Sequence, residues 1–188
     1  MEQHGVLIPI KAFESAKARL ASVLDSAERA DLARSLAEGV IKACMDVQVW
    51  VICEDNNVED WALGLGVQVI RNPEEGLNNA AHIGLATMAG LGVEKVLITH
   101  SDLINPVGIT SLLEKPGIVL VPDRHLTGTN VIGLPTYVDF SFSYGQNSFS
   151  RHVKESEKFN LPLTIVKDSV LGFDVDNPDD LTEYRLSK

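Results

Sequence analysis

Short apolar runs alternate along this chain with segments in which apolar residues recur at helical spacing, such as Leu32, Leu36 and Val40. Most of these runs lack the polar alternation of a strand with one wet face, so they predict strands that helices cover on both sides. The repeated alternation of strand and helix is typical of the α/β class, and a chain of 188 residues fits one domain, residues 1–188. The predicted extended segments are 5–10, 47–53, 67–70, 96–99, 117–121, 131–134, 140–144, 161–166 and 170–175.

The run 96–99 is the most informative of these segments, because a polar tail of His100, Ser101 and Asp102 follows it directly. Ligands of open α/β sheets bind outside the carboxyl ends of the strands. We therefore expect Asp102 to meet a metal ion or a substrate there. His100 either lines the same site or is a buried, hydrogen-bonded histidine.

A second acidic pair, Asp174 and Asp176, follows the last predicted strand. Residues two apart on an extended segment share one side, so both carboxylates would face the same way. Together with Asp102 they predict an oxygen-rich site for Mg²⁺, which takes few carboxylates and bridges substrate phosphates. The alternative is that the pair caps the helix that begins near Asn177, although Asp174 lies early for that role.

Three cations, Lys11, Lys17 and Arg19, lie within nine positions after the first predicted strand. A dinucleotide-binding unit would have a glycine-rich turn at this place, and the sequence has none. Lysine and arginine at a strand end can instead hold polyphosphate oxygens by charge. The alternative is a solvated start of an amphipathic helix.

Three further segments each have a functional and a structural interpretation. Asn78, near a predicted helix start, either caps that helix or hydrogen-bonds a nucleobase or ribose. The loop 122–130, which contains Arg124 and Thr129, suits phosphate or carboxylate oxygens or is an ordinary surface turn. Ser148 either caps the next helix or helps to hold a small anion at its N-terminus.

Composition and charge remove several classes of function. A net charge of −10 argues against nucleic-acid binding, which needs a clustered basic surface. No apolar run approaches the ~20 residues of a membrane span, and no signal peptide is evident. The thiols of Cys44 and Cys53 are expected to be buried and free, which favours a cytoplasmic protein. Without paired zinc-ligand spacing or a nucleophile signature, the cations and carboxylates indicate phosphoryl or nucleotidyl transfer by positioning and charge neutralisation.

Taken together, these motifs resemble those of the 2-phospho-L-lactate guanylyltransferases, which also act on phosphoenolpyruvate and serve the biosynthesis of the deazaflavin coenzyme F-420. The matching residues run nearly from end to end, and their order and spacing together are specific. They are Ile8-Pro9-Ile10-Lys11, Lys17-Ala18-Arg19-Leu20, Gly76-Leu77-Asn78, Ser101-Asp102-Leu103, Pro122-Asp123-Arg124, Thr127-Gly128-Thr129-Asn130, Gly145, Ser148-Phe149, His152, Asp174-Val175-Asp176 and Pro178.

The resemblance implies a Rossmann-like mixed sheet with flanking helices, of the GT-A-like nucleotidyltransferase type, with GTP as substrate and Mg²⁺ as cofactor. In this interpretation Asp102, Asp174 and Asp176 hold the metal, and Asp102 is also catalytic. The remaining implied contacts divide between a phosphorylated three-carbon acid and the nucleotide. The acid is bound by Thr129, Gly145 and Ser148, and the nucleoside by Asn78, while Arg124 is a further substrate-binding residue. The triphosphate is met by Lys11, Lys17 and Arg19, which are counted with the catalytic residues.

The sequence departs from the family pattern at three places. Ile104 replaces a proline, Leu126 stands where a glycine is common, and Gln146-Asn147 replace a Pro-Gly pair. The last two changes border the acid-binding loops, so they bear on which acid is used rather than on the reaction class. The rival interpretations are a molybdopterin or sugar-phosphate nucleotidyltransferase, a glycosyltransferase with an Asp-x-Asp metal site, and a non-catalytic nucleotide-binding module. A homodimer is a further expectation.

Overall fold

The computed structural model describes residues 3–72, 76–167 and 170–186 and has a mixed β-sheet at its centre. The strands of this sheet follow the order β3-β2-β1-β4-β6-β5-β7. Strand β6 is antiparallel to both β4 and β5, and the other neighbouring pairs are parallel. The strands are β1 His4–Pro9, β2 Gln48–Cys53, β3 Gln68–Arg71, β4 Lys95–Thr99, β5 Ile118–Pro122, β6 Thr129–Pro135 and β7 Leu163–Ile165.

Helices connect most of these strands. Asp25 and Glu28 form the capping box that the sequence predicts at the start of α1. The α-helices are α1 Ser26–Ala43, α2 Asn56–Gly64, α3 Leu77–Gly90, α4 Ser148–Ser156 and α5 Pro178–Leu186. Short 3-10 helices span Phe13–Ser15, Ala18–Leu20, Ile109–Glu114, Glu157–Phe159 and Val170–Gly172.

The sheet is buried on both faces, as the continuous apolar runs predict. Alternate residues of β1 point to opposite sides, so Val6 joins one apolar cluster and Leu7 joins the other. The first cluster includes Val40 of α1 and Val58 of α2, and the second includes Met88 of α3. This α/β sandwich confirms the predicted fold class. It also brings the carboxyl ends of β1 and β4 side by side, because these two strands are parallel neighbours.

The structure contradicts three of the predicted elements. Segment 140–144 forms no strand, because the backbone amides of Ser141 and Ser143 donate to side chains of α4 instead of a neighbouring strand. Segment 170–175 begins with a 3-10 helix, and Asp174 forms only an isolated bridge with Leu103. Pro106, which suits the first turn of a helix, predicts a helix that starts there, but the structure has a 3-10 helix that begins at Ile109, after Gly108 in a left-handed conformation.

The prediction about the two cysteines is confirmed. Cys44 and Cys53 are both free and buried, and burial raises the pKa of these thiols to about 12 and about 11. Among the helices in the described ranges, none has the length and apolar character that crossing a bilayer requires.

Candidate active site

A cleft of about 530 Å³ opens at the carboxyl ends of β1, β2 and β4. Its volume lies within the range of small-molecule sites in proteins. The loop after β1 forms one wall, and the start of α3 forms another. Its polar lining side chains are Lys11, Ser15, Lys17, Arg19, Glu54, Asn72, His100, Ser101, Asp102, Asp174 and Asp176.

Lys17 is the cation that reaches deepest into this cleft. Its backbone is left-handed, with φ 55°, and its side chain is only 8% exposed. The Nζ atom donates to the Asp102 carboxylate and, over 2.6 Å, to the carbonyl oxygen of Val175. It also lies 3.9 Å from Oδ1 of Asp176. Lys17 therefore ties the end of β4 to the late acidic segment.

Asp102, Asp174 and His100 converge at this end of the cleft. One ligand atom from each of the three side chains lies within 4.8 Å of the other two. His100 Nδ1 is 4.0 Å from Asp102 Oδ1. This Oδ1 atom is buried and accepts no hydrogen bond from the described residues, although a buried carboxylate oxygen is costly to leave unpaired. Two carboxylates and an orphaned oxygen therefore fit a divalent cation.

The charges of this group act strongly on one another. Burial alone would raise the pKa of Asp102, but the Lys17 ammonium and His100 outweigh it and hold that pKa below the ordinary value. Burial, together with the charges of Asp102 and Asp176, raises the pKa of Asp174 to about 6. Asn130 opposes this rise by donating from Nδ2 to Asp174 Oδ1 over 3.3 Å. A divalent cation would relieve the repulsion between these carboxylates.

Asp176 lies beside two cations instead of within the group of three donors. Its Oδ2 atom accepts from Arg19 over 3.1 Å, and half of the side chain is exposed. The interpretation of the acidic pair as a helix cap is wrong, because the Asn177 side chain accepts from the amides of Asp179 and Asp180. The assignment of Asp176 as a metal ligand stays a prediction.

Thr129, Ser148 and His152 form a buried polar cluster between β6 and α4. Thr129 Oγ1 lies 2.9 Å from His152 Nδ1 and 3.4 Å from Ser148 Oγ. The helix cap is the left-handed Asn147, and neither it nor Ser148 makes a side-chain capping bond. Gly145 has φ +112°, a conformation that favours glycine. The Gly145 carbonyl accepts from the Ser148 amide over 3.0 Å, so Thr129, Gly145 and Ser148 lie close together. None of the three is among the residues that line the cleft.

Three other predicted site residues lie outside this buried polar cluster. Lys11 is exposed at the rim of the cleft. Asn78 does not cap α3, whose cap is Gly76, and its Oδ1 accepts from the Tyr144 amide over 2.7 Å. Arg124 pairs with acids of α5, as described next.

Arg124 turns away from the cleft toward the last helix. Its guanidinium donates to Asp180 and, over 2.9 Å, to Glu183, and it lies over the ring of Phe173. In the same loop the Asp123 carboxylate accepts from the Thr127 and Gly128 amides. These bonds support the interpretation of the segment before Thr129 as a structured turn.

Sequence reasoning understated two residues. His100 contributes a candidate metal-ligand atom beside Asp102 and Asp174, although the sequence left open whether this histidine lines the site or is buried and hydrogen-bonded. Glu54 lines the cleft at the end of β2, where the local sequence alone indicates a turn. Both follow apolar strands directly, so their position at a carboxyl strand end was the available signal.

Comparison with known proteins identifies the family. The family described as guanylyl transferase CofC-like matches residues 4–187. The phosphoenolpyruvate guanylyltransferase of Conexibacter woesei is 34% identical over 191 residues, which cover 95% of this chain and 86% of that protein. The 2-phospho-L-lactate guanylyltransferase of Methanocaldococcus fervens is 29% identical over 183 residues, which cover 95% and 83%.

Solved structures share the fold at lower identity. A nucleotide-diphospho-sugar transferase structure from Desulfovibrio desulfuricans G20 aligns with a TM-score of 0.82 at 17% identity, covering 100% of this chain and 89% of that one. A CMP:2-keto-3-deoxy-manno-octonic acid synthetase in complex with CTP aligns with a TM-score of 0.63 at 13% identity, covering 99% and 98%. The fold is therefore of the nucleotidyltransferase type, and the chain belongs to the CofC-like guanylyl transferase family.

Proposed function

We propose that this protein is a guanylyltransferase that transfers the guanylyl group of GTP to a phosphorylated three-carbon acid and releases pyrophosphate. The acid is 2-phospho-L-lactate or phosphoenolpyruvate, as in the names of the relatives, and the product is the guanosine-diphospho-acid intermediate of coenzyme F-420 biosynthesis. One observation carries the proposal. Asp102, Asp174 and Lys17, which are far apart in the sequence, meet at one end of a cleft of nucleotide size.

The reaction needs no protein nucleophile. An oxygen of the acid's phosphate attacks the α-phosphorus of GTP in line, and a new P–O bond forms as the bond from the α-phosphorus to the bridging oxygen breaks. The attacking phosphate monoester is already ionised near neutral pH, so no general base is required. Pyrophosphate leaves with the electron pair of the broken bond. Positioning and charge neutralisation then supply most of the acceleration.

The cationic side chains of the chain have two different electrostatic roles. Lys17 is nearly buried against Asp102, so we assign it to holding that carboxylate in place and balancing its charge. Lys11 and Arg19 are exposed at the cleft, where they can meet the triphosphate oxygens. We propose that Asp102, Asp174 and Asp176 hold Mg²⁺, which supplies positive charge to the α-phosphate and the leaving group when it is bound.

The buried polar cluster is proposed to receive the acid. The hydroxyls of Thr129 and Ser148 and the backbone at Gly145 supply hydrogen bonds to carboxylate and phosphate oxygens. Asn78 and Arg124 contribute indirectly in this proposal. Asn78 holds the Tyr144 amide next to Gly145, and Arg124 anchors the turn that precedes Thr129 to α5. A single nucleotidyltransferase domain over residues 1–188, a cytoplasmic location and a homodimer stay predictions.

The test is a pyrophosphate-release assay that crosses four nucleoside triphosphates with 2-phospho-L-lactate, phosphoenolpyruvate and phosphoglycerate, with and without Mg²⁺. We expect release with GTP and one or more of these acids only when the metal is present. Asp102→Asn should lower turnover by at least about a hundredfold, since it removes charge where the cation binds. Asp31→Asn changes an exposed carboxylate of α1 in the same way and should leave turnover near that of the wild type.

Three results would redirect the assignment. Full activity of Asp102→Asn would remove this carboxylate from the reaction. Metal-dependent GTP binding without pyrophosphate release for any acid would favour a non-catalytic nucleotide-binding module. Release of pyrophosphate with a sugar phosphate or molybdopterin, but with none of the three acids, would favour another nucleotidyltransferase of this fold.

A further inference from the structure

We propose that His100 is a direct ligand of the divalent cation, through Nδ1, and that it shifts the metal preference of the site from Mg²⁺ toward Mn²⁺ and other transition-metal ions. This inference rests on the proposed function, because it concerns the cation that the guanylyl transfer would use. It goes further by adding a nitrogen donor to a site otherwise made of carboxylates.

The imidazole of His100 lies close to the carboxylates that would hold the cation. His100 lies two residues before Asp102, where β4 has just ended, and its Nδ1 is 4.0 Å from Asp102 Oδ1. Its ligand atom lies within 4.8 Å of those of Asp102 and Asp174. A cation with ligand distances of about 2.1 Å can therefore be reached by all three after small rotamer adjustments.

The two carboxylate oxygens of Asp102 have different hydrogen-bond partners. Lys17 occupies Oδ2, whereas the buried Oδ1, on the side of His100, has no hydrogen-bond partner in the described part of the chain. The lysine thus neutralises part of the charge without taking the oxygen that faces the imidazole. A cation at Oδ1 would satisfy this atom and leave the Lys17 contact intact.

Neighbouring polar side chains can orient the candidate metal ligands. Asn130 donates to Asp174 Oδ1 over 3.3 Å and fixes that carboxylate. His100 Nε2 is buried and has no partner among the described residues, and the same holds for the hydroxyl of Tyr144. The centroids of the two rings are 5.7 Å apart, and we propose the Tyr144 hydroxyl as the acceptor for Nε2–H of a metal-bound His100. Metal-bound histidines ordinarily have such an acceptor on the second nitrogen.

The donor set decides the chemical class of the cation. Carboxylates and water suit Mg²⁺, which rarely takes a nitrogen ligand, whereas imidazole strengthens the binding of Mn²⁺ and of later first-row divalent ions. With the imidazole of His100 added to its carboxylates, the site should therefore prefer Mn²⁺ to Mg²⁺ more strongly than an all-carboxylate site.

The test is pulsed electron paramagnetic resonance of the full chain loaded with Mn²⁺, without substrates. The wild type should show the ¹⁴N modulation of a directly bound imidazole. His100→Gln should lose this modulation and raise the dissociation constant for Mn²⁺ by at least about tenfold, with a smaller change for Mg²⁺. His100→Asn serves as a second variant, and thermal unfolding checks that both fold. His82→Gln, on the exposed face of α3, should keep the modulation.

The outcomes separate this inference from the proposed function. Absence of ¹⁴N modulation in the wild type, or its persistence in a folded His100→Gln variant, would overturn the inference even if pyrophosphate release from GTP is normal. Imidazole-bound Mn²⁺ without any pyrophosphate release would support the inference and overturn the proposed function instead.

Discussion

His152 is fully buried in α4, and its hydrogen bonds determine its tautomer. Nε2 accepts from the Ser143 amide over 2.9 Å, so the proton of the neutral ring lies on Nδ1. Nδ1 then donates to Thr129 Oγ1, which lies 2.9 Å away. The Thr129 hydroxyl is thereby left with its own hydrogen to donate to Ser148 or to a ligand. A neutral His152 thus orients a residue that we assign to the acid site.

This neutral histidine makes the stability of the protein depend on pH. Burial, aided by the charges of Arg151 and His100 and opposed by Glu155, lowers the pKa of His152 from 6.5 to about 4. At pH values between 4 and 6.5 the unfolded chain binds more protons than the folded chain, so the free energy of unfolding falls as the pH drops. The fall is about 1.4 kcal/mol per pH unit and about 3 kcal/mol in total. His152→Gln should remove this part of the pH dependence.

Urea unfolding of both chains at several pH values measures this effect. Carboxylates with lowered pKa values, such as Asp102 and Asp123, lose stability at low pH in both chains, so their contribution cancels in the comparison. The variant is expected to be less stable at pH 7, where it has lost the ring's hydrogen bonds, but to approach the wild type near pH 4. Parallel curves for the two chains would show that His152 is not buried as a neutral ring.

The site residues that sequence reasoning could find are those marked by their position at strand ends. Asp102 and Asp174 were predicted to converge from the strand-end rule and from the spacing of the late acidic pair, and their donor atoms do converge. Asn78 and Arg124 were predicted from local composition, and their partners are the Tyr144 amide and the acids of α5. The Tyr144 amide lies 66 residues from Asn78, and the two acids lie 56 and 59 residues from Arg124, so no local pattern could reveal them.

The packing of a helix against the sheet depends on whether its glycines face the sheet. Gly84 of α3 lies so close to β1 that a Cβ atom there would be 2.2 Å from Leu7 Cδ2. Gly39 of α1 has no heavy atom within 4 Å of the same position. The two helical glycines therefore have opposite roles, since one permits close packing and the other is only a poor helix former.

The substitution of each glycine by alanine tests this difference. Gly84→Ala forces Leu7, which is fully buried, to move, and should destabilise the protein by about 1–3 kcal/mol. Gly39→Ala should stabilise it by about 0.5–1 kcal/mol, because alanine restricts the unfolded chain and favours the helix. Urea denaturation of the two variants measures both changes. A neutral or stabilising effect of Gly84→Ala would mean that α3 does not pack on β1 as closely as described.

Elements were predictable where hydrophobicity alone determines them. The buried runs of β1, β2 and β4 could be read directly, since neither face of these strands meets water. Segment 140–144 alternates like a strand, yet its Phe140 and Phe142 pack in the core while its amides bond to α4 side chains. Alternation reports which side chains are buried, but not where the backbone hydrogen bonds go, and this is why the prediction failed there.

The cleft joins parts of the chain that are distant in sequence. Lys17 comes from the first loop, Asp102 from the end of β4, and Asp174 from the segment before α5. These parts repel one another at Asp102 and Asp174, where two partly buried carboxylates lie close together. The chain also has a net charge of −10, so a triphosphate approaching without a cation meets overall repulsion. Metal and nucleotide should consequently bind together and stabilise the whole fold.

Thermal unfolding in the presence of ligands tests this coupling. A ligand at about a hundred times its dissociation constant adds about 2.7 kcal/mol to the free energy of unfolding. For a chain of this length that corresponds to a rise in the midpoint of about 5–10 °C. We expect this rise with GTP and a divalent cation together, and a much smaller one with GTP in excess chelator, since the carboxylates then keep their repulsion. In Asp102→Asn the rise in midpoint with GTP and the cation together should fall toward the sum of the rises with each ligand alone, because the cation has lost a ligand. An equal rise with and without the cation in the wild type would mean that the nucleotide does not bind at the carboxylates.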